Sequence, residues 1–302
     1  MTGATGGIGE AIARRLAAEG LAVTLVGRSD ERLRAARERI EAAVPGADLT
    51  LERADLADLA QVRDLGERLL AGPGLDVVVS NAALITPLDL MTSDGLPRVL
   101  AVNHLAPYLL LRTLAPGLTR ARLVVVGADP VSGDRRPIDL DDLTFTLPDR
   151  LGYAAALRPF LAYGQTKTMN AMFVFALARR LAGSSVTVNC AHPGVIRGTG
   201  LSREVPGLTA AVSEAVRDGV LPMPGPQPRG WGAPSFSGSA EGPDPDVGAD
   251  TPAWLATSPE VEGVSGRFFV DRAPVERARH ATDATRCERL WVESARLTGL
   301  PA

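Results

Sequence analysis

Lysine is almost missing from this chain. Of its 32 basic residues 31 are arginine, and Lys167 is the exception. The wider excess of Arg, Ala, Gly and Pro fits a GC-rich coding sequence, so a lysine that persists against it needs a chemical reason. Cysteine is scarce too. Cys190 and Cys287 are too few for a disulfide framework or a zinc cluster, which points to a reducing, cytoplasmic setting and to no metal. No uninterrupted apolar run reaches the ~18 residues of a membrane span, and the opening residues do not read as a signal peptide. Positive charge is not in excess: 32 basic against 35 acidic residues leave a net charge of -3. Neither nucleic acid nor an anionic membrane is an expected partner.

What is present is enough for a large core: 302 residues, 45% hydrophobic and 22% charged. Apolar β-rich runs at 21–26, 49–52, 75–79, 123–126, 186–190 and 267–270 alternate with helical patterns at roughly 8–19, 30–43, 58–71, 95–115, 163–182 and 281–298. The runs are continuous rather than alternating, as in strands buried on both faces. Ser29 before Asp30-Glu31-Arg32 suits a helix N-cap. The βαβα rhythm predicts an α/β, Rossmann-type, doubly wound parallel sheet in a single domain over residues 1–302. Residues 205–250 read as a substrate-side loop region. Its 221–250 stretch, dense in Pro and Gly, reads as a mobile surface loop or a flap over a pocket.

Thr2-Gly3-Ala4-Thr5-Gly6-Gly7-Ile8-Gly9 precedes a helical pattern. Glycines at such a turn let backbone N–H groups approach a pyrophosphate, helped by the helix N-terminus. Two spacings fit: Gly3, Gly7 and Gly9, or Gly3, Gly6 and Gly9. The strand that normally leads into such a turn is absent from the chain, which begins at Met1, so the expected sheet lacks its first strand. A start site placed too late, with a GTG valine codon read as the initiator, is the explanation this pattern suggests. The next strand ends in Gly27-Arg28-Ser29. A carboxylate there would favour NAD; an arginine favours the 2′-phosphate of NADP.

Tyr163-Gly164-Gln165-Thr166-Lys167 opens the 163–182 helix, and i, i+4 spacing puts Tyr163 and Lys167 on one face. A neighbouring ammonium lowers a phenol's pKa and lets Tyr163 act as general acid or base. In a chain with one lysine and three tyrosines the pairing is not easily accidental. Arginine, planar and permanently charged, could not relay a proton there.

Together with Asn81-Ala82-Ala83, Asn103-His104-Leu105 and His192-Pro193-Gly194, these motifs follow the order and spacing of the short-chain dehydrogenase/reductase family. The chain resembles that family over nearly its whole length, the Pro-rich stretch excepted. Thr92-Ser93-Asp94-Gly95 and the tail motifs Ala256 to Glu260 and Gly263 to Gly266 resemble its retinol-dehydrogenase-like branch. The resemblance implies an NADP(H)-dependent oxidoreductase moving hydride between nicotinamide and the carbonyl or alcohol of a small apolar molecule. It implies that Gly3, Gly7 and Gly9 cradle the pyrophosphate, that Thr5 and Ile8 also bind the cofactor, and that Arg28 meets the 2′-phosphate. Asp55 and Leu56 would border the adenine. Asn81, Ala82 and Ala83 would line the cofactor, and Pro193, Gly194, Val195 and Ile196 would flank the nicotinamide. Tyr163 would handle the substrate proton, Lys167 would grip the ribose, and Asn103 would hold a water or stabilise a helix kink. His104 and His192 read as packing residues. A homodimer or homotetramer through the 95–115 and 163–182 helices is the implied assembly.

Two positions depart from the family. Its usual substrate-binding serine falls on Ala128, which has no donor; Ser132 is the nearest hydroxyl that a curled loop could bring in. The usual threonine after His192-Pro193-Gly194 falls on Gly198, one residue before Thr199. Losing one such hydrogen bond can cost ~10²–10³ in rate, so Ala128 and the missing first strand together suggest a second reading, a cofactor-binding protein with little turnover. An extended-type epimerase or dehydratase, supported by the Gly3, Gly6, Gly9 spacing, is a third.

Overall fold

A computed structural model describes residues 1–129, 135–196, 198–222 and 244–302. Alternate side chains of the strand Arg120–Val126 feed two separate cores: Leu123 and Val125 enter one, Val124 and Val126 the other. A strand covered on both faces has no polar side to show, hence the continuous apolar runs.

In chain order the main elements begin with α1 (Gly7–Ala18), β1 (Val23–Gly27), α2 (Asp30–Ala43), β2 (Leu49–Arg53), α3 (Leu59–Leu70) and β3 (Val77–Ser80). Next comes a composite helix α4, made of Arg98–Leu100, a π-helical turn Ala101–Leu105 and Ala106–Leu114. It is followed by β4 (Arg120–Val126), α5 (Arg158–Arg180), β5 (Ser185–His192), α6 (Leu208–Arg217), α7 (Pro245–Thr257), β6 (Phe268–Val270), β7 (Ala273–Pro274) and α8 (Ala284–Thr298). Strands β3, β4, β5 and β6 run parallel in that order, with β7 antiparallel at the edge. β1 and β2 form a separate parallel pair.

Residues 1–3 join the two groups. Thr2 N donates to Val79 O of β3 (3.0 Å), Gly3 N donates to Val26 O of β1 (3.1 Å), and Val26 N donates to Met1 O (2.9 Å). Thr2 also makes a parallel bridge with Val26. The expectation of a missing first strand is thus corrected in part: residues 1–3 occupy the strand position between β1 and β3. The spatial order is therefore β2, β1, residues 1–3, β3, β4, β5, β6, β7. Chain direction across the sheet reverses between β1 and β3, where doubly wound folds open a crevice.

Helices α1, α2 and α7 cover one face; α3, α4, α5 and α8 cover the other. Ser29 caps α2 by accepting from Arg32 N, and Asp58 caps α3 by accepting from Ala60 N and Gln61 N. α5 starts at Arg158, five residues before Tyr163 rather than at it, because Pro159 in the first turn gives up no helical hydrogen bond. The 205–250 region is not simply a loop. It contains α6 and the first turns of α7, where Asp244 caps the helix and Pro245 opens it. Leu221 is buried. The remainder of the expected mobile stretch, 223–243, lies outside the described residues.

α8 explains the apolar girth of α5. Trp291 of α8 packs against Tyr108 of α4 and Phe173 of α5, with ring centroids 5.4 and 5.9 Å away, and Tyr108 donates to Trp291 O (2.8 Å). The sheet covers α5 on its other side. A second copy of the chain is therefore not needed to bury these aromatic side chains. Among the described residues no helix is long and apolar enough to cross a membrane.

Candidate active site

A cavity of about 510 Å³ runs along the carboxyl ends of the strands, from the glycine turn to Tyr163 and beyond. At its first end the backbone is crowded. A Cβ on Gly9 would stand 2.1 Å from Gly3 O, and one on Gly3 would stand 2.8 Å from Ala82 Cα. Gly3 and Gly7 have φ of +67° and +56°, which L side chains rarely adopt. Gly6 is different: its backbone is extended, and the nearest atom to a Cβ there is Arg32 Nη2 at 3.9 Å. Geometry therefore selects Gly3, Gly7 and Gly9 as the required glycines. The alternative spacing through Gly6, and the epimerase reading built on it, lose their support.

No side chain caps the N-terminus of α1, so its first N–H groups remain open to an anion. Asn81 fixes the turn from the β3 side: Nδ2 donates to Thr2 O (3.2 Å), while Asn81 N and Ala82 N both donate to Thr2 Oγ1 (3.0 and 3.2 Å). Thr2 is thus a site residue that the sequence reading quoted but gave no role.

Thr5, Ile8, Arg28, Asp55, Leu56, Ala82 and Ala83 also line this end. Arg28 lies 3.9 Å from Glu204 Oε1, and Glu204 Oε2 is 3.4 Å from Arg98. Arg32, in the first turn of α2, lines the cavity as well. The sequence alone gives it no role, because Arg28 precedes the N-cap of α2 and no helical spacing links the two. Asp55 Oδ1 accepts from Ala57 N (2.9 Å), which shapes the turn after β2.

At the other end, α5 presents Tyr163 and Lys167. The phenol of Tyr163 makes no hydrogen bond with any described residue, and its ring stacks on Phe160 at 6.5 Å. Burial pushes its pKa above the ordinary value. Lys167 Nζ, also buried, donates to Val126 O at the end of β4 (2.8 Å) and lies 5.8 Å from the Tyr163 ring centroid. Burial lowers its pKa to about 8. Burial is the largest influence on both groups, and the ammonium is tied to a carbonyl.

Asn103 sits in the π turn of α4, fully buried. Its Oδ1 accepts from Leu84 N and its Nδ2 donates to Leu84 O, both at 2.9 Å, with Thr166 Oγ1 at 3.2 Å. Asn170 Nδ2 donates to the Asn103 carbonyl (2.8 Å). Both polar ends of the amide are engaged by protein, so it ties α4 to the β3 loop and to α5 rather than offering its side chain to a water. His104 is held between Asn170 Oδ1 (3.1 Å) and Ser294 Oγ (2.8 Å), and burial lowers its pKa to about 4, as suits a packing residue.

Pro193, Gly194, Val195 and Ile196 follow β5 along the cavity wall. Gly248 of α7 approaches Ile196 so closely that a Cβ would stand 2.7 Å from its Cγ1. Thr199, despite its shift by one residue, lies against the glycine turn: a Cβ on Gly7 would be 3.4 Å from its Cα. His192 Nδ1 accepts from Gly194 N (3.3 Å), and burial lowers its pKa to about 4. Ala128 forms part of the wall. Ser132 lies outside the described residues.

A model of the short chain dehydrogenases matches residues 1–129. Human retinol dehydrogenase 14 is 32% identical over 320 residues, spanning 99% of this chain and 85% of that protein. The chain belongs to the short-chain dehydrogenase family. Within it, the relatives place this dehydrogenase in the retinol-dehydrogenase-like branch, as an oxidoreductase of CH–OH and C=O groups. A Streptomyces protein, DnrU of strain C5, is 36% identical over 301 residues, 99% of this chain and 91% of its own; its name assigns it provisionally to daunorubicin C-13 ketoreduction. A Burkholderia cenocepacia short-chain dehydrogenase solved with NADP has 26% identity and a TM-score of 0.62, covering 89% of this chain and 93% of its own.

Proposed function

We propose that this dehydrogenase uses NADP(H) to interconvert a carbonyl and an alcohol on a small, largely apolar molecule in the cytoplasm. The observation that carries the reading is one continuous cavity with the glycine turn at one end and Tyr163 with Lys167 at the other. The residues fit a nicotinamide dinucleotide. The glycine turn leaves a cradle that a Cβ on Gly9 would fill, and the open first turn of α1 suits the pyrophosphate. Arg28 and Arg32 offer a 2′-phosphate two forked donors, which is why NADP is preferred over NAD. Asp55 and Leu56 would border the adenine; Asn81, Ala82, Ala83 and the segment Pro193 to Ile196, which also line the cavity, would hold the remainder. When bound, the nicotinamide supplies or accepts the hydride.

The chain's own residues manage the proton and the geometry. The Tyr163 phenol gives its proton to the substrate oxygen during reduction and takes it back during oxidation. Lys167, held on Val126 O, would grip the ribose of a bound cofactor. Its position one helical turn from Tyr163 supplies positive charge where a phenolate develops. Asn103 is a positioning residue, holding the π turn and, through Thr166, the backbone at Tyr163.

Purified protein mixed with NADPH and a panel of aldehydes and ketones is expected to consume NADPH. Tight NADPH binding with no consumption on any substrate would instead favour the second reading, a cofactor-binding protein of low turnover. That reading rests on Ala128 in the wall where the family places a donor.

A further inference from the structure

The substrate half of the cavity carries positive charge that the catalytic account does not use. Arg135 and Arg136 both line it. They share one aromatic ring: their guanidinium carbons lie 5.8 and 5.2 Å from the centroid of Tyr153. Arg135 Nη1 also donates to Val220 O (3.0 Å). Arg136 lies over Gly152, where a Cβ would stand 2.1 Å from its Nη1, so a side chain at 152 would displace it. Neither arginine forms an ion pair with a described carboxylate, whereas Arg28 at the far end shares Glu204.

Two like charges beside one ring, both exposed and neither within ion-pair distance of a described carboxylate, raise the positive potential at that spot. Their supports, Tyr153, Gly152 and Val220, belong to the apolar cluster that includes Phe160, Tyr163, Val212 and Leu221 or lie beside it; none belongs to the glycine turn or to β1 and β2. The charge therefore borders the substrate's apolar path to Tyr163, away from the cofactor end.

We infer that the substrate carries a carboxylate as well as its reacting carbonyl: an apolar oxo acid whose body lies along Tyr153 and Phe160 and whose anionic end is held by Arg135 and Arg136. A guanidinium fork matches a carboxylate with two parallel hydrogen bonds, and ring stacking fixes the fork beforehand. The inference rests on the proposed carbonyl chemistry only in naming the reacting group.

Binding and turnover separate the two. Calorimetric titration of the NADPH-loaded protein with para-butylbenzoate and with para-butylbenzamide reads anion recognition without any reaction. The acid is expected to bind at least about tenfold more tightly. The double variant Arg135→Ala, Arg136→Ala is expected to erase the difference while leaving the amide within about twofold. Arg135→Lys, Arg136→Lys keeps the charge and retains part of the preference, and raised salt weakens it. Equal affinity in the wild type would overturn the inference. So would a preference that survives the alanine pair, since it would place the anion on other arginines. Turnover of para-acetylbenzoate against its methyl ester is the second arm. An arginine-dependent binding preference with neither ketone reduced would support the anion site and defeat the carbonyl reading. Both ketones reduced equally, with no binding preference, would do the reverse.

Discussion

The two ends of the cavity are built on opposite principles. The glycine-turn end is specified by what cannot be present: a Cβ on Gly9 or Gly3 would collide with backbone. The substrate end is specified by side chains: Arg135, Arg136 and Tyr153 between β4 and α5, and Phe160 in the first turn of α5. A backbone cradle suits a ligand common to a whole family. A wall of side chains can change one residue at a time without disturbing the sheet, so it can differ from one relative to the next.

Gly9→Ala should strike hardest. The added methyl must displace the Gly3 carbonyl, and NADPH affinity measured by fluorescence titration is expected to fall by two orders of magnitude, about 3 kcal/mol. If the alanine variant bound normally, the crowding at the cofactor end would not be what defines it.

Beneath the catalytic end, His104 is buried and neutral, with its pKa lowered to about 4 from an ordinary 6.5. An unfolded chain takes up that proton first as pH falls, so stability rises with pH in this window. It should be fully present above about 6.5 and decline between there and 4, by up to ~3 kcal/mol from this residue. Urea midpoints across this range, compared with His104→Phe, check it; an unchanged pH slope in the variant would remove His104 as the cause.

Arg28→Ala with Arg32→Ala sharpens the contrast at the cofactor rim, the one place there where side chains decide. NADPH affinity is expected to drop about tenfold, ~1.4 kcal/mol, with NADH affected much less. Equal losses would place no phosphate at these arginines. Gly6→Ala should do least, within about threefold for NADPH, because an added Cβ meets only Arg32 Nη2 at an ordinary contact distance of 3.9 Å. A large loss at Gly6 would restore the alternative glycine spacing.

The same contrast governs what could be read from the residues alone. The glycine turn, the buried strands and the Tyr163–Lys167 pair are local patterns whose chemistry depends on spacing, and they stand where the spacing puts them. The π turn at Asn103 was less accessible, because its signal is a hydrogen bond to Leu84, nineteen positions away in the chain. Lys167's tie to Val126 O and the cover that α8 lays over α4 and α5 are likewise tertiary contacts with no local signature. α7 was hidden because Pro245 and Pro252 make a helix look broken, although Pro245 occupies the first position, where proline is tolerated. Arg135, Arg136 and Tyr153 could not be assembled from sequence at all, since Gly152 and Val220 set their positions.

The central claim is that Tyr163 moves the proton in a cavity shared with NADP(H). It is tested most directly by Tyr163→Phe, with NADPH affinity and kcat on a reactive ketone measured in the same preparation. The account predicts affinity within about twofold of the wild type and kcat reduced by ~10²–10⁴. A kcat that survives the loss of the hydroxyl would contradict it.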